Sequence, residues 1–362
     1  MKGKKLRILL SLLLIITLFP LSACSGNSSQ KGNQATGAPT VTVAATPVAT
    51  AAPTPTAAAE ETVSGGFTVD GTKLYDANGN EFIMRGVNQS YTWFKSFNNI
   101  ALEAIAATGA NTVRLVLSDG QKYQEDYLLY VKNLIEDCKN LKMIAILEVH
   151  DATGSNSVED LNQAVDYWIR VKDALIGNEA YVIVNIANEW YGNWGGQEWA
   201  DAYCAAIPKL REAGIENTIL VDSAGWGQYA KSIHDFGTQV FEADPLANTM
   251  FAIHMYGSAG KNAAIIKSNI DGVRDLNLCV TIGEFGYKHS DGDVDEAYIM
   301  SYCQEIGVGY LGWSWKGNGG GVEYLDIATE WDGSKLSSDW GENLINGENG
   351  IRETSKICSV FE

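Results

Sequence analysis

Two short apolar stretches of the chain each end in a glutamate. Residues 182–187 are mostly apolar and lead into Asn188 and Glu189, and residues 280–283 lead in the same way into Glu284. Read as buried parallel strands, both stretches carry their polar residues to the carboxyl end of a strand, where α/β barrels and parallel sheets place their chemistry. Two glutamates at such strand ends are suited to acid/base chemistry on a glycosidic bond.

Further polar residues interrupt or follow other apolar stretches. Arg114 lies inside residues 112–117, and a buried guanidinium at that point requires a carboxylate partner. The side chains that close other stretches are His150, His254, Tyr256 and Trp313. The chain has only four histidines, and two of them occupy these positions. We expect Glu148 to pair structurally, for example with Arg114, and Asp151 and Asp222 to cap loops.

Eight apolar runs alternate with helical patterns from Gly66 onward. They cover residues 82–88, 112–117, 143–150, 182–190, 218–222, 249–254, 280–286 and 309–313. Eight strand-helix units predict an α/β fold, a closed (β/α)8 TIM barrel. An open, doubly wound sheet is the alternative, but it normally uses fewer strands, and no glycine-rich phosphate loop follows the first run.

Local patterns predict the elements around the barrel strands. Apolar residues recur at helical intervals at Leu128, Val131, Leu134, Ile135 and Cys138, and at Leu161, Val165 and Trp168. Gly109 and Gly214 occupy positions where helix ends favour a left-handed residue. Residues 67–79 predict a short N-terminal hairpin, with turns at Asp70-Gly71 and Asn78-Gly79, that closes the bottom of the barrel.

Length and charge restrict the class of protein. With 362 residues and 46% hydrophobic content, the chain can bury one large core, so a single catalytic domain is expected. A formal net charge of −18 argues against nucleic acid or anionic lipid as a partner, because both are bound by concentrated lysine and arginine. A neutral ligand fits this composition better.

The first 64 residues have the composition of an export signal and a tether. Basic residues precede the apolar run 8–19, and Leu21-Ser22-Ala23-Cys24 follows it, an ending that resembles the bacterial lipobox. We therefore expect a signal peptide at 1–23, a lipid anchor on Cys24 and a flexible Ser/Thr/Ala/Pro-rich tether at 24–64, with the catalytic domain at 65–362. The protein would be extracellular, anchored at the bacterial cell surface. Ordinary secretion, with Cys24 lost or incidental, is the alternative.

Two further patterns are expected to be structural. The remaining cysteines are Cys138, Cys204, Cys279, Cys303 and Cys358. They are odd in number and lack metal-ligand spacing, so we expect them to be small buried thiols that form at most two disulfides. The acidic segment 291–296 superficially resembles a calcium loop, but Glu296 stands where an EF-hand needs glycine. We expect this segment to cap the following helix, and we expect no metal site.

Several longer motifs carry a resemblance to a known family. They are Gly86-Val87-Asn88, residues 108–114, residues 147–154, residues 186–192, residues 224–228, His254-Met255-Tyr256, residues 282–286 and Trp313-Ser314-Trp315. Together they resemble glycoside hydrolase family 5, whose members are retaining (β/α)8 enzymes, and more narrowly its bacterial endo-β-1,4-mannanases. The resemblance runs from about residue 66 to residue 361.

The resemblance implies a role for each candidate residue. Glu189 would be the general acid/base and Glu284 the nucleophile. The implied supporting and substrate-binding residues are Arg114, His150, Asn188, Trp226, His254, Tyr256 and Trp313. Arg114 and Tyr256 would keep Glu284 ionised, Asn188 would bind the sugar 2-hydroxyl, His150 and His254 would orient the acid/base and the substrate, and Trp313 would stack under the reacting sugar. The implied partner is a β-mannan-type polysaccharide, with no cofactor and a monomeric enzyme.

The sequence departs from the mannanase pattern in three places, all expected in loops around the cleft. These are Gln89-Ser90-Tyr91, Gly257-Ser258 and Lys316. Two other functions therefore stay open at this point. One is an endo-β-1,4-glucanase of the same family, which would share every catalytic residue. The other is a tethered carbohydrate-binding lipoprotein that has lost turnover, although the presence of both Glu189 and Glu284 argues against it.

Overall fold

The computed structural model describes residues 65–362. The predicted signal peptide, the tether and the lipidation site Cys24 lie outside the described residues and stay predictions. Across the described range, none of the helices combines the length and the apolar character needed to cross a membrane.

Eight parallel strands close into a barrel, which confirms the predicted (β/α)8 class. In chain order the barrel strands are β3 (Arg85–Gln89), β4 (Thr112–Leu117), β5 (Ile144–Val149), β6 (Val182–Asn185), β7 (Ile219–Asp222), β8 (Thr249–Met255), β9 (Val280–Phe285) and β12 (Gly309–Gly312). Each strand pairs with the next in sequence, and β12 closes the ring by pairing with both β9 and β3. The carboxyl ends of all eight strands therefore meet at one face of the barrel.

Helices connect the strands and cover the outside of the barrel. They are α1 (Asn98–Ala107), α2 (Leu128–Asn140), α3 (Val158–Val171), α4 (Gln197–Glu212), α5 (Lys231–Glu242), α6 (Ala263–Arg274), α7 (Glu296–Ile306), α8 (Gly341–Asn346) and α9 (Ile351–Thr354). The predicted periodicities fall on α2 and α3 and pack into the core. Gly109 and Gly214 both have left-handed backbone, with φ of 92° and 87°.

Alternate strand residues belong to two separate apolar clusters, as the twofold period of a strand requires. Leu115, Leu147 and Val184 pack with helix residues in the outer layer. Ile146 and Ile183 point the other way and pack in the barrel interior. The strands are apolar on both faces because both faces are covered, and this explains why they appear in the sequence as continuous apolar runs.

The predicted N-terminal hairpin is present and lies against the barrel interior. It consists of β1 (Thr68–Asp70) and β2 (Lys73–Tyr75), which pair antiparallel. Phe67 and Leu74 at this hairpin are buried in the same cluster as Ile146 and Ile183. The hairpin thus closes the end of the barrel opposite the strands' carboxyl ends.

Other expectations can be checked locally. The five cysteines of the described range are free thiols, and four of them are buried. Asp295 caps α7 by accepting a hydrogen bond from the backbone N–H of Tyr298, as predicted. The placement of Gln89 in a loop is wrong: it is the last residue of β3 and pairs with Leu115 of β4, because the first strand continues one residue beyond its apolar run.

Candidate active site

Arg114 of β4 is fully buried, and it is surrounded by carboxylates. Its Nη1 donates to Oε1 of Glu284 at 2.8 Å. Glu148 Oε1 lies 3.7 Å from Nη1, and Asp222 Oδ2 lies 3.6 Å from Nη2. A buried guanidinium without a carboxylate would be strongly destabilising, so its place inside an apolar strand is explained by these partners.

Three amide side chains accept the remaining hydrogen bonds of Arg114. Asn88 accepts from Nη1 at 2.9 Å, Asn188 from Nη2 at 2.6 Å, and Asn185 from Nε and Nη2 at 3.1 and 2.8 Å. The amide groups in turn donate elsewhere; Asn188 donates to the hydroxyl of Thr153 at 2.9 Å. The guanidinium therefore has one fixed orientation, and it holds the groups around it in place.

Glu284 is fixed through both of its carboxylate oxygens. Arg114 binds Oε1, and the hydroxyl of Tyr256 donates to Oε2 at 2.8 Å. Tyr256 is itself covered by the ring of His289, whose centroid lies 4.7 Å away. His289 belongs to a short hairpin formed by β10 (Lys288–His289) and β11 (Gly292–Asp293). A carboxylate held at both oxygens is well oriented to attack a single carbon atom.

The same short hairpin explains one of the three sequence departures. Asp291, at its turn, accepts hydrogen bonds from the backbone N–H groups of Gly257 and Ser258 at 3.0 and 2.9 Å. A Cβ on Gly257 would lie 2.5 Å from the backbone of Asp291, so only glycine fits there. Gly257 and Ser258, which directly follow Tyr256, thus bind the hairpin through Asp291.

Glu189 faces Glu284 across the site. One carboxylate oxygen of each glutamate and a ring nitrogen of His254 all lie within 4.8 Å of one another. Oε1 of Glu189 lies 2.9 Å from Nδ1 of His254. The backbone of Glu189 is left-handed, with φ of 48°, and its N–H donates to Oδ2 of Asp222 at 2.9 Å. Retaining glycosidases hold their two carboxyl groups about 5 to 5.5 Å apart, whereas inverting enzymes leave a gap for water.

Burial raises the pKa values of both glutamates above the ordinary carboxyl range. Desolvation raises the pKa of Glu189 well above the carboxyl range, and the negative charge of Glu284 adds to the increase. Burial also raises the pKa of Glu284, but Arg114, His150 and the Tyr256 hydroxyl act to lower it. Of the two, Glu189 is the group that keeps its proton, and Glu284 is the group that ionises first.

Aromatic side chains form one wall of the site. The ring of His150 lies against that of Trp313, with centroids 5.7 Å apart and planes 21° apart, while Trp93 meets His150 edge-on at 5.0 Å. Nδ1 of His150 lies 2.9 Å from Glu148. The indole N–H of Trp313 donates to Asn318 at 2.9 Å. Flat apolar faces beside two carboxyl groups suit a sugar ring.

The predicted site residues are brought together, with one of them at the periphery. Arg114, His150, Asn188, Glu189, His254, Tyr256, Glu284 and Trp313 all belong to the connected network described above. Trp226 is half exposed, with its ring against Gly154, whose N–H donates to the Glu189 carbonyl. It therefore flanks the acid/base loop and does not contact the carboxyl groups directly.

Sequence reasoning missed the part that Asp222 plays in this network. The sequence predicts only a loop cap for Asp222, whereas in the structure it contacts Arg114 and the backbone of Glu189. Its position as the polar end of the fifth apolar run was the available signal. Asp151 does cap a loop, because it accepts from the backbone N–H groups of Asp119, Lys122 and Tyr123. Glu148 does lie near Arg114, although its contact with His150 is shorter.

Among the described residues, the side chains that lie close enough together to act as ligands of one cation are Glu189, His254 and Glu284. Each is already engaged: His254 with Glu189, and Glu284 with both Arg114 and Tyr256. The positive guanidinium within hydrogen-bonding distance of Glu284 further disfavours a cation there. The arrangement therefore suits proton transfer and nucleophilic attack rather than metal chemistry.

The barrel and its buried pair of carboxyl groups define a glycoside hydrolase of the two-carboxylate type. The sequence profile of the family described as Cellulase (glycosyl hydrolase family 5) matches residues 75–319. The chain belongs to glycosyl hydrolase family 5.

Individual relatives are similar over most of the chain. A mannan endo-1,4-beta-mannosidase of Salipaludibacillus agaradhaerens is 56% identical over 81% of this chain and 95% of its own length. One of Streptomyces lividans is 44% identical over 81% of this chain and 77% of its own length. The solved structure of a Thermomonospora fusca beta-mannanase in complex with mannohexaose is 42% identical, with a TM-score of 0.76, and covers 83% of this chain and all of that one.

Proposed function

We propose that the protein is a retaining endo-β-1,4-mannanase that cuts mannan, glucomannan or galactomannan by double displacement. The observation that carries the proposal is the close approach of Glu189 and Glu284, with one carboxylate oxygen of each within 4.8 Å of the other, beside a guanidinium that orients Glu284. The names of two relatives, which are 56% and 44% identical to this chain over the aligned residues, support β-mannan as the substrate class.

In the first half of the proposed reaction, Glu189 donates its proton to the oxygen of the glycosidic bond. Glu284 attacks the anomeric carbon as that bond breaks, and a covalent glycosyl-enzyme forms. Arg114 and Tyr256 hold Glu284 in its attacking orientation and stabilise its negative charge. The polysaccharide fragment on the leaving side departs with a new hydroxyl group.

In the second half, Glu189 acts in the opposite sense. Now ionised, it removes a proton from a water molecule, and the water attacks the anomeric carbon from the side that the leaving group vacated. Glu284 is released as a carboxylate, and Glu189 regains its proton. Two inversions at the same carbon give net retention of configuration.

The remaining predicted residues bind the substrate in this proposal. Asn188 is held by Arg114 and Thr153 beside Glu189, which suits contact with the 2-hydroxyl of the reacting sugar. Trp313, fixed by Asn318, provides the stacking surface under that sugar, and His150 lies against it. Trp226 is assigned to a flanking subsite because it is half exposed next to the loop of Glu189.

A side-by-side assay tests the substrate class. We expect release of reducing ends from β-mannan at a rate far above that from carboxymethylcellulose, because mannose presents an axial 2-hydroxyl and glucose an equatorial one. Product analysis on defined manno-oligosaccharides would establish internal cleavage, and NMR of the first product would report its configuration. Activity on cellulose alone would show that the protein is an endo-glucanase. Binding of polysaccharide without turnover would indicate a carbohydrate-binding lipoprotein.

The dependence of kcat/KM on pH is expected to be bell-shaped, with its acid limb above the ordinary carboxyl range of about 4.3. Burial raises the pKa of Glu284, so activity is gained only as the pH rises through that raised value. Burial and the negative charge of Glu284 raise the pKa of Glu189 well above the carboxyl range, so activity is lost when the pH passes that raised value. An acid limb at or below pH 4 would contradict the assignment. A Glu189→Gln variant, which cannot titrate there, is the matched control for the basic limb.

We propose further that the enzyme is anchored at the bacterial surface through Cys24. The basic residues, the apolar run and the ending Leu21-Ser22-Ala23-Cys24 support this, as does a following tether rich in small residues. We expect the full chain to fractionate with membranes and Cys24→Ala to lose lipid and membrane association, while the hydrolytic activity of the protein is unchanged. Release of wild-type protein into the medium without lipid would support ordinary secretion instead.

A further inference from the structure

The fifth barrel strand ends in a buried carboxylate that the proposed reaction does not use. Oδ1 of Asp222 accepts from the amide of Asn185 at 3.0 Å, and Oδ2 accepts from the backbone N–H of Glu189 at 2.9 Å. Nη2 of Arg114 lies 3.6 Å from Oδ2. Burial raises the pKa of Asp222 to about 6, and Arg114 opposes the increase. With donors around it, Asp222 is a carboxylate at neutral pH.

His254 lies between this carboxylate and the acid/base. Its Nε2 is 3.5 Å from Oδ2 of Asp222, and its Nδ1 is 2.9 Å from Oε1 of Glu189. Two glycines leave room for the ring in this orientation. A Cβ on Gly227 would lie 2.7 Å from Nδ1, and one on Gly283 would lie 2.9 Å from Nε2, so the imidazole fills the space that both leave.

The neutral ring of His254 carries one proton, on either Nδ1 or Nε2. The nitrogen with the proton donates a hydrogen bond, and the other nitrogen accepts one. Burial lowers the pKa of His254 well below its usual value, and the charge of Arg114 adds to the decrease, so the ring is neutral and carries a single N–H. A lone pair on Nε2 would face the negative charge of Asp222, whereas an N–H there is attracted to it. The proton therefore belongs on Nε2, and Nδ1 is left as an acceptor.

We propose that Asp222 is a positioning residue that sets the tautomer of His254 and thereby keeps the catalytic proton on Glu189. With Nδ1 as an acceptor, the 2.9 Å contact is a hydrogen bond only if Glu189 donates it as a carboxylic acid. The logic is that of the aspartate that orients histidine in serine-hydrolase triads, applied here to a general acid. This inference rests on the proposed double displacement, in which Glu189 must start protonated.

After proton transfer the same arrangement favours the return of the proton. The ionised Glu189 then faces the lone pair of Nδ1, an unfavourable contact that is relieved when Glu189 takes a proton from the attacking water. Asp222 also accepts the backbone N–H of Glu189, whose φ is 48°, and so supports a conformation that costs a non-glycine residue free energy. One side chain thus positions both the backbone and the proton of the acid/base.

Several charged or titratable groups face His254 from the surrounding strands. Different carboxyl groups approach each of the two ring nitrogens. Glu189 and Glu284 approach Nδ1, at 2.9 and 3.7 Å, whereas Asp222 approaches Nε2. Arg114 acts on the ring as a positive charge. Since the groups at Nδ1 serve the reaction directly, Asp222 is the carboxylate whose replacement addresses the tautomer.

Leaving-group dependence in an Asp222→Asn variant tests this role. The asparagine amide can donate to Nε2 and so favour the wrong tautomer, which would leave Glu189 ionised. We expect kcat/KM on β-mannan to fall by about 10²- to 10³-fold, and kcat/KM on a 2,4-dinitrophenyl β-mannobioside, which needs little acid assistance, to fall by less than about tenfold. The basic limb of the pH profile should move to lower pH, because the negative charge of Asp222 helps to raise the pKa of Glu189.

Equal losses on the two substrates would overturn the proposal, because a purely structural defect does not depend on the leaving group. Asp151→Asn is the matched control. Asp151 is also a buried aspartate after a barrel strand, but its hydrogen bonds go to Ser118 and to backbone N–H groups of a loop. Its replacement is expected to affect both substrates alike.

A second measurement needs no variant at Asp222 and no substrate. The chain has four histidines, so the ring nitrogens can be observed by ¹⁵N NMR in the folded enzyme, with His234→Asn and His289→Asn variants to assist assignment. We expect the Nε2–H tautomer for His254. A proton on Nδ1 would overturn the inference whatever the substrate proves to be. Failure to cut mannan would instead reject the proposed function and would leave the assigned tautomer of His254 unaffected.

Discussion

Glu284→Ala is expected to abolish hydrolysis of β-mannan, with kcat/KM lower by at least about 10⁴-fold. Glu284 is buried, bound at one oxygen by Arg114 and at the other by Tyr256, and it faces Glu189. An alanine leaves no group to form the glycosyl-enzyme, and the water that could replace the carboxylate is a far weaker nucleophile. Initial rates on mannan at several substrate concentrations would measure the loss.

Two controls separate this chemical loss from a folding defect. Glu284→Gln keeps the shape of the side chain and is expected to be equally inactive, with circular dichroism and thermal unfolding close to those of the wild type. Glu103→Ala, on the exposed face of α1, is expected to keep full activity. A 2-fluoro mannoside should label the wild-type enzyme covalently at Glu284. Labelling of another carboxylate, or more than a few per cent of residual activity in the alanine variant, would reject the assignment.

The second large effect is expected from Glu189→Ala, and it depends on the leaving group. On mannan, kcat/KM should fall by about 10³- to 10⁴-fold, because the departing sugar oxygen no longer receives a proton. On a dinitrophenyl mannobioside, cleavage should stay fast, but the glycosyl-enzyme should accumulate, since no base activates water. Pre-steady-state release of dinitrophenol would appear as a burst followed by slow turnover.

Rescue by a small anion completes this test. The alanine leaves space beside the anomeric carbon, so azide should restore turnover of the dinitrophenyl substrate and yield a β-mannosyl azide. Glu198→Ala, at an exposed position of α4, is the matched control and is expected to behave as the wild type with and without azide. Equal losses on both substrates, with no effect of azide, would show that Glu189 is not the acid/base.

Much of the fold follows from local pattern, and the eight strands show why. Their apolar runs are continuous because both faces of a parallel barrel strand are buried, and the predicted residues 112–117 coincide with β4. Strand ends were less predictable. The apolar pattern predicts the first run at 82–88, whereas β3 extends to Gln89. The pairing of Gln89 with Leu115 is a backbone interaction, which the pattern of side chains does not report.

The sequence by itself determined which residues could do chemistry and that they would meet. Polar side chains at the ends of apolar runs stand out locally, and parallel strands bring those ends to one face of the barrel, so the sequence alone pairs Glu189 with Glu284. Family motifs along the chain strengthened that pairing.

Only the tertiary structure decided how these residues act on one another. Asp222 and Asp151 are both predicted to cap loops, and the difference lies in what each one contacts: Arg114, Glu189 and His254 for Asp222, and loop N–H groups for Asp151. These partners are separated by tens of residues in the chain. Proton affinity depends on burial and on neighbouring charge in three dimensions, so the state of Glu189 is a property of the assembled barrel.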